Sequence, residues 1–438
     1  MTEPSDSPAY DPAAEVVETC RELIRIDTSN YGDDSGPGER VAAEYVAAKL
    51  SEVGLEPRIY ESRPGRASVV ARWGDGGSSE PALLIHGHLD VVPARAGDWK
   101  MPPFEAEVSD GYVWGRGAVD MKDFDAMVLS IVRAREAAGA TPSRPIVLAF
   151  TADEEAGSRK GAHWLVDEYP ELFEGCTEAI GEVGGFSTEV AGQRLYLIET
   201  GEKGMAWMRL TARGAAGHGS MRHPDNAVTA LAGAISALGS HEWPTRTGPS
   251  MRRLLDKVAE LSGVAPDDVD ALIAQFGPGA RMVGAGVRNS TNPTMLEAGY
   301  KVNVVPGEAS ARVDGRYLPG EEDAFATEVQ RLVGDRVEID VETYDVALES
   351  PFDGDLVDAM VTALHAEDPD AHIAPFLMSG GTDAKAWSRL GIRSFGFSPL
   401  RLPADLDFSA LFHGVDERVP EDALEFGARV LDRMLRLV

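Results

Sequence analysis

Histidine and acidic side chains follow directly on three apolar segments of this chain. Residues 83–85 lead into His86-Gly87-His88-Leu89-Asp90, residues 145–152 lead into Asp153-Glu154-Glu155, and residues 179–181 lead into Glu182. In an open α/β sheet, ligands bind beyond the carboxyl ends of the strands. Side chains delivered there from several strands converge, and clustered carboxylates need a cation to offset their repulsion. We therefore predict a metal site and, with it, a metal-dependent hydrolase.

Helical and extended patterns alternate over about the first 200 residues. Apolar spacing predicts helices over 12–27, 39–53 and 121–138, and strands over 56–61, 67–73, 82–87 and 145–151. Asp110-Gly111 between two extended segments indicates a β-hairpin. This order predicts an α/β fold with a doubly wound, largely parallel catalytic sheet.

The pattern changes after Gly201, where a small α+β insert is expected to interrupt the catalytic sheet. Its predicted elements are a strand over 205–212, a helix over 226–238, a helical stretch over 250–275 and strands over 295–304 and 308–314. The α/β pattern then resumes, with strands over 336–344 and 393–398 and a last helix over 420–437. A chain of 438 residues favours more than one domain. We expect a catalytic domain over 1–203 and 319–438, and a lid or dimerisation domain over 204–318.

Composition narrows the choice of partners and compartment. A net charge of −31 argues against nucleic acid and anionic lipid, which require a positive field. No apolar stretch is long enough to span a membrane. Residues 1–8 have neither the basic start nor the apolar centre of a signal peptide, so we expect a cytoplasmic protein. An anionic substrate would need local positive charge at the site.

Six motifs occur in an order that is similar to one known family. They are His86-Gly87-His88-Leu89-Asp90, Gly115-Arg116-Gly117-Ala118-Val119-Asp120-Met121-Lys122, Asp153-Glu154-Glu155-Ala156-Gly157-Ser158, Glu182, Gly217-His218-Gly219-Ser220 and His413-Gly414. They resemble the co-catalytic zinc metallopeptidase and amidohydrolase family of aminoacylase-1, carboxypeptidase G and succinyl-diaminopimelate desuccinylase. The resemblance implies a zinc-dependent enzyme that hydrolyses C–N amide bonds.

The resemblance also implies two zinc ions per subunit, with Asp120 bridging them. His88 and Glu182 would complete one site, and Glu155 and His413 the other. Histidine and carboxylate ligands without thiolates suit zinc, with cobalt or manganese as substitutes. Each ligand also has an ordinary interpretation, such as a polar strand end, a helix N-cap at Asp120 or a solvated acidic loop.

Three further residues would act in catalysis if the resemblance holds. Glu154 would take a proton from the attacking water and return it to the leaving amine. Asp90, two residues after His88, would accept the second ring N–H of that histidine and fix its tautomer. His218 would reach the partner's active site in a homodimer and stabilise the oxyanion. An ordinary loop histidine is the alternative for His218.

A substrate carboxylate would be held by Asn303 and Arg316, and by backbone N–H groups of the loop containing Gly380, Gly381 and Thr382. A surface ion pair is the alternative for Arg316. The expected reaction is hydrolysis of an N-acyl-amino acid or a dipeptide with a free carboxylate, both small molecules. Three alternatives remain: a succinyl-diaminopimelate desuccinylase, a single-metal or aminopeptidase-type enzyme that recognises a free amine, and a non-catalytic protein that binds amino-acid derivatives. The presence of Glu154 argues against the last of these.

Overall fold

The computed structural model of this chain describes residues 10–74 and 80–438. The segment on which the cytoplasmic expectation rests, residues 1–8, lies outside the described residues. Among the helices of the described ranges, none is both long and apolar enough to cross a membrane.

The strands of the described ranges are β1 (Arg58–Arg63), β2 (Arg66–Trp73), β3 (Ala82–His88), β4 (Val108–Ser109), β5 (Tyr112–Trp114), β6 (Ile146–Thr151), β7 (Cys176–Gly181), β8 (Phe186–Val190), β9 (Gln193–Glu202), β10 (Gly204–Arg213), β11 (Gly217–His218), β12 (Ser290–Ala298), β13 (Val304–Val305), β14 (Glu308–Tyr317), β15 (Val337–Asp345), β16 (Leu348–Glu349), β17 (His372–Met378), β18 (Arg393–Gly396) and β19 (Arg418–Pro420). The helices are α1 (Val16–Ile24), α2 (Arg40–Ser51), α3 (Lys122–Ala137), α4 (Ala162–Glu168), α5 (Ala227–Gly239), α6 (Pro249–Ser262), α7 (Val269–Ala274), α8 (Ala280–Ala285), α9 (Glu322–Val333), α10 (Asp355–Glu367), α11 (Ala384–Ser388) and α12 (Glu421–Leu437).

The large sheet has the strand order β1-β2-β6-β3-β7-β18-β9-β16, and β8 and β17 also pair with β9. Its central strands β6, β3, β7 and β18 are parallel, whereas β1, β2, β8 and β16 pair antiparallel with their neighbours. Strands β3 and β6 are buried along their whole length, as expected for strands covered on both faces. The predicted α/β class is confirmed, with the parallel pairing concentrated in the middle of a mixed sheet.

Helices cover both faces of this sheet because alternate side chains of each strand point to opposite sides. Ile85 and Leu148 belong to the larger core, which includes residues of α1, α3 and α12. Leu84 and Val147 belong to a smaller core on the other face, with Trp387 of α11. The doubly wound arrangement follows from this two-sided packing.

A second sheet, with the order β12-β14-β10-β15, is antiparallel throughout. A separate core that includes Leu210, Leu231 and Phe325 lies between this sheet and helices α5 and α9. The last strand of this second sheet, β15, lies beyond the expected insert boundary at residue 318. Conversely, α6 contributes Met251 and Leu254 to the core of the large sheet. The domain division at residues 203/204 and 318/319 stays a prediction. The packing of β15 with the small sheet and of α6 with the large core does not follow these two boundaries.

Two expected elements of the insert differ from the structure. The helical stretch over 250–275 is two helices, because α6 ends at Ser262 and Gly263 adopts a left-handed φ of 74°. The strand expected over 295–304 is β12, which ends at Ala298, and its pairing with β14 leaves a long loop between them. Within that loop β13 pairs with β11. Local apolar patterns do not reveal such long-range pairing.

Candidate active site

The predicted acids and the first histidine meet at one edge of the large sheet. Strand β3 ends at His88, and β6 and β7 end shortly before Glu154 and Glu182. Because β3 lies between β6 and β7 and all three are parallel, their carboxyl ends are neighbours. The topology therefore brings Glu154 and Glu182 close to His88, which precedes them by 66 and 94 residues in sequence.

Asp120 places one carboxylate oxygen beside each of two histidines. Its Oδ1 is 3.1 Å from Nε2 of His88, and its Oδ2 is 3.2 Å from Nε2 of His413. Helix α3 begins at Lys122 with Met121 as its N-cap, so Asp120 does not cap the helix. A carboxylate shared in this way is the arrangement expected of a bridging metal ligand.

Glu182 and Glu155 extend the arrangement into two groups. Nε2 of His88 lies 3.4 Å from Oε2 of Glu182, and Nε2 of His413 lies 3.0 Å from Oε2 of Glu155. The structure therefore brings the five predicted ligands together, and their binding of metal stays a prediction.

The donor set fits divalent metal ions. It consists of imidazole nitrogens and carboxylate oxygens, and closely spaced donors occur in the groups His88–Asp120–Glu155 and His88–Glu154–Glu182. Burial raises the pKa of Glu182 to about 8. Burial, reinforced by the charge of Asp120, also raises the pKa of Glu155 above its ordinary value. Crowded, buried carboxylates of this kind are stabilised by a cation.

An irregular turn separates the directions of Glu154 and Glu155. Asp153 has a left-handed φ of 66°, residues 154–156 form a 3₁₀ turn, and Gly157 has a φ of 95°. As a result, Oε2 of Glu154 lies 3.9 Å from Nε2 of His88, whereas Glu155 contacts His413. Burial and the nearby charge of Glu182 raise the pKa of Glu154 well above its ordinary value. The turn thus gives adjacent glutamates different surroundings.

Asp90 does not make the contact that the sequence predicted. Nδ1 of His88 lies 2.9 Å from the backbone oxygen of Asp90 and 3.7 Å from the nearest carboxylate oxygen. The carboxylate instead accepts hydrogen bonds from the backbone amides of Glu154 at 3.0 Å and Glu155 at 3.1 Å, and from the Asn30 side chain at 2.8 Å. Three N–H donors satisfy this buried anion better than one imidazole would. Asp90 therefore holds the turn that carries Glu154.

His218 and Asn303 lie together, and within the described chain neither makes a hydrogen bond or ion pair with the five converging ligands. Strand β11, which contains His218, pairs with β13, and the amide of Gly219 donates to the backbone oxygen of Asn303 at 2.9 Å. The His218 side chain is exposed, and its Nδ1 lies 2.9 Å from Oγ of Ser220. Among the described residues, the His218 ring has its polar contacts with Ser220, and the His218 backbone oxygen contacts the Met221 amide and the His223 ring.

Arg316 is already paired within the chain. Its Nε and Nη2 donate to the two carboxylate oxygens of Asp314 at 2.7 and 3.2 Å. Both side chains are partly buried on strand β14, two residues apart and therefore on the same face. The alternative interpretation of Arg316 as an ion pair is thus what the structure shows, and a substrate carboxylate would have to compete with Asp314 or share the guanidinium.

The loop over residues 379–383 offers fewer free amides than expected. The amide of Thr382 donates to Oε2 of Glu202 at 3.1 Å, and its hydroxyl donates to the same carboxylate. Within the described chain, the amides of Gly380 and Gly381 make no backbone hydrogen bond. Gly380 and Gly381 therefore remain candidates for anion binding, whereas the Thr382 amide is used internally.

Two buried lysines place positive charge behind this loop. Nζ of Lys385 donates to the backbone oxygen of Lys203 at 2.7 Å, and both side chains are almost fully buried. Burial lowers the pKa of each lysine, that of Lys203 to about 8. The charges of Arg316 and Glu154 both affect the pKa of Lys385, so this lysine lies within electrostatic reach of both groups.

Sequence reasoning missed Asn30 and Asp383. Asn30 anchors Asp90, but asparagine is so common in turns that its sequence context carries no signal. Asp383 accepts a hydrogen bond from the Thr151 hydroxyl at 2.5 Å, and burial raises its pKa to about 6. The sequence feature that could have identified Asp383 is an acidic residue directly after Gly380-Gly381-Thr382.

His86 is buried edge-on to Trp387, and burial lowers its pKa to about 3, so it is a neutral structural residue.

The sequence pattern of Peptidase family M20/M25/M40 matches residues 84–437. The N-fatty-acyl-amino acid synthase/hydrolase PM20D1 of Xenopus tropicalis is 29% identical over 437 residues, covering 94% of this chain and 83% of the relative. Aminoacylase-1 of Mus musculus is 27% identical over 430 residues, covering 95% and 93%.

Solved structures share the fold at low sequence identity. The M20 family metallo-carboxypeptidase Sso-CP2 of Sulfolobus solfataricus superposes with a TM-score of 0.74 at 18% identity, covering 97% of this chain and 99% of that one. Human carnosine dipeptidase 1 superposes with a TM-score of 0.68 at 16% identity, covering 97% and 95%.

Proposed function

Because this chain belongs to Peptidase family M20/M25/M40, whose members hydrolyse amide bonds, we propose that it cleaves the amide of an N-acyl-amino acid or dipeptide with a free carboxylate. The observation that carries this proposal is the position of Asp120 between His88 and His413, with Glu154 beside the same cluster. The similarity to aminoacylase-1 and to an N-fatty-acyl-amino acid synthase/hydrolase supports an N-acyl-amino acid as the substrate class.

Two zinc ions are the proposed cofactors, and cobalt or manganese are proposed substitutes. His88, Asp120 and Glu182 would hold one ion, and Asp120, Glu155 and His413 the other. When bound, such ions polarise a carbonyl and lower the pKa of water. The nitrogen and oxygen donors without thiolates support zinc.

Glu154 is the proposed general base and acid. Its raised pKa suits a carboxylate that accepts a proton at Oε2 from the attacking water and then returns it to the leaving amine. Asp90 keeps the backbone of the Glu154 turn in place through two amide hydrogen bonds. The base is therefore positioned by a buried carboxylate that does not itself exchange protons with substrate.

The substrate carboxylate would lie between the small sheet and the loop over residues 379–383. Arg316 and the amides of Gly380 and Gly381 are its proposed partners in the same chain, and Asn303, which lies beside His218, would be supplied with it by the second subunit. Lys203 and Lys385 add positive charge nearby, which offsets the net charge of −31 for an anionic substrate.

A homodimer is proposed because His218 is exposed and its ring contacts Ser220 rather than the proposed catalytic acids of its own chain. In the dimer, His218 would donate a hydrogen bond to the oxyanion in the partner's active site.

An enzyme that recognises a free amine is the second candidate. It is favoured by the Asp314–Arg316 pair, because Asp314 already neutralises the guanidinium that would otherwise hold a substrate carboxylate. Succinyl-diaminopimelate would satisfy the same contacts as other carboxylate-bearing amides, so it belongs in any substrate test.

The first test is hydrolysis of an amide panel by the zinc-loaded protein and by Glu154→Gln. The panel contains N-acetyl, long-chain N-acyl and succinyl amino acids, and dipeptides with free or amidated carboxyl groups. We expect wild type to cleave the free-carboxylate members, and the variant to lose about 10²- to 10⁴-fold in kcat while still binding metal. Glu425→Gln, an exposed substitution on α12, is the control.

Two results would contradict the proposal. Equal cleavage of free and amidated dipeptides, with loss of activity when the amino group is blocked, would favour the amine-recognising enzyme. A protein that binds zinc but hydrolyses no member of the panel would be the non-catalytic binding protein.

A further inference from the structure

A buried ion pair joins the loop that carries Asp120 to the loop that carries His413. Nη1 of Arg116 donates to Oε2 of Glu417 at 2.5 Å, and the side chains are only 4% and 0% exposed. Arg116 lies four residues before Asp120, and Glu417 lies four residues after His413. The pair therefore connects two proposed ligand segments that are almost 300 residues apart in sequence.

Each partner of the pair also binds the backbone of the other loop. Nη2 of Arg116 donates to the backbone oxygen of Gly414 at 2.9 Å and to that of His413 at 3.4 Å. Oε1 of Glu417 accepts from the amide of Val119 at 2.8 Å, one residue before Asp120. These contacts run in both directions, so neither loop can shift along the other without breaking several hydrogen bonds.

The His413 loop is also held by Leu411 in the core and by the Lys100 amide, which donates to Asp416, but the histidine itself is exposed. The His413 side chain is 57% exposed, and its backbone has a left-handed φ of 57°. By contrast, His88 is 1% exposed at the end of a central strand. An arginine suits the task because its planar guanidinium carries several donors in a fixed geometry, and here it also stacks 5.1 Å from the ring centre of Trp99.

We infer that Arg116 and Glu417 are positioning residues for one of the two metal positions. They set His413 against Asp120 and thereby determine the affinity of the position formed by Asp120, Glu155 and His413. The position formed by His88 and Glu182 with Asp120 takes those two ligands from β3 and from the end of β7, and depends on the pair much less. This inference rests on the proposed two-metal site.

The test is a titration of the metal-free protein with cobalt(II), followed by the visible absorption of the bound ion. We expect wild type to take up two equivalents. In Arg116→Met the second equivalent should bind about 10- to 100-fold more weakly, the usual effect of losing a partner that orients a ligand. Arg116→Lys should be intermediate, because a single ammonium cannot bind Glu417 and both loop carbonyls with the geometry of a guanidinium.

Arg135 and Asp432 provide a matched control pair. Their side chains are 6% and 3% exposed, they are 3.2 Å apart, and Arg135 stacks 5.9 Å from the ring centre of Trp73. They join α3 to α12 rather than two ligand loops. Arg135→Met should lower the unfolding temperature and still bind two equivalents of cobalt with wild-type affinities.

Wild-type affinity for both equivalents in Arg116→Met would overturn the inference. So would an equal loss of the second equivalent in Arg135→Met, because the effect would then reflect lower stability alone. If the methionine variant does not fold, Arg116→Lys and Glu417→Gln carry the same test with the same criteria. A wild-type protein that binds fewer than two equivalents would contradict the proposed two-metal site instead, which distinguishes the two failures.

Discussion

At the scale of single residues, the Asp90 carboxylate binds a different partner from the one that its spacing from His88 suggests. A position two residues after His88 is compatible with a hydrogen bond to the imidazole, yet the backbone carbonyl occupies that place. The carboxylate is then free to accept from Glu154 and Glu155. Its effect on catalysis is therefore expected through Glu154, the proposed general base, rather than through His88, a proposed metal ligand.

Asp90→Asn separates these two roles. The amide replaces one acceptor by an NH₂ group that faces a backbone N–H, and an unsatisfied buried donor costs about 1–3 kcal/mol. Because the two N–H groups cannot bond to each other, the turn should shift and displace Glu154. A misplacement of about 1 Å can cost about 10²-fold in rate. We expect kcat to fall by about that factor with metal content unchanged, as measured by steady-state kinetics and metal analysis.

The opposite result would support the role predicted from sequence, in which Asp90 orients the His88 ring. If Asp90→Asn loses metal but keeps wild-type kcat per bound metal, the carboxylate acts on His88. Asp268→Asn, which changes the side chain capping α7, is a control for the substitution itself.

At the scale of elements, the junction between β9 and β10 places a lysine in an unusual environment. Lys203 is 1% exposed, and Asp314 is the acid whose charge acts on its ammonium. Burial, together with the charge of Arg316, lowers its pKa to about 8. A charged lysine here opposes folding, and its neutral form does not.

This environment predicts a pH-dependent stability. The pKa of Lys203 is about 10.5 in the unfolded chain and about 8 in the folded protein. Between these values the unfolded state binds more protons, so the free energy of unfolding should rise with pH. Lys203→Met should be more stable than wild type at pH 7, by at most about 3 kcal/mol at about 1.4 kcal/mol per pKa unit.

Urea unfolding of the metal-free proteins from pH 7 to pH 10.5 measures this difference. The advantage of Lys203→Met should shrink steadily above pH 8. A difference that stays constant over the whole range would show that Lys203 does not titrate between the two values.

At the scale of the whole molecule, the small sheet has an exposed edge. Strand β12 forms one side of the sheet, and Leu296 on it is 66% exposed. In the loop that follows, Tyr300 and Val302 are 83% and 102% exposed. An edge strand with exposed apolar side chains, here Met295 and Leu296, can pair with another chain. It supports the proposed homodimer and gives it a location.

Leu296→Asp should therefore shift the protein from about twice its chain mass of 46.9 kDa to the monomer mass in analytical ultracentrifugation. A buried charge at a dimer interface costs several kcal/mol, which is the physical reason. Leu437→Asp is the matched control, because Leu437 is also an exposed leucine, 54% accessible, on α12. A wild-type protein that sediments as a monomer would contradict the prediction.

The dimer also predicts complementation between two inactive variants. If His218 acts in the partner's site, mixing Glu154→Gln with His218→Ala forms mixed dimers in which one of the two sites is complete. Refolding the two together should recover about a quarter of wild-type activity, since half of the dimers are mixed. No recovery from a mixture shown to contain mixed dimers would place His218 in its own chain's site or outside catalysis.

The sequence by itself determined the α/β class and the set of side chains that meet at the sheet edge. His88, Glu155 and Glu182 follow buried strands, and this local pattern is enough to place them because parallel strands end at the same edge. Asp120 and His413 were identified through the resemblance of their motifs to those of a known family, and their residue types suit metal ligands. The metal, the substrate and the dimer remain predictions.

Only the tertiary structure decided which hydrogen-bond donors and acceptors pair around the side chains at the sheet edge. It placed the Asp90 carboxylate on the Glu154 turn, paired Arg316 with Asp314, used the Thr382 amide for Glu202 and joined Arg116 to Glu417. It also assigned β15 to the small sheet and α6 to the large core. The physical reason is that a buried polar group takes the partners with the best geometry in three dimensions, and these partners are set by long-range packing rather than by local spacing.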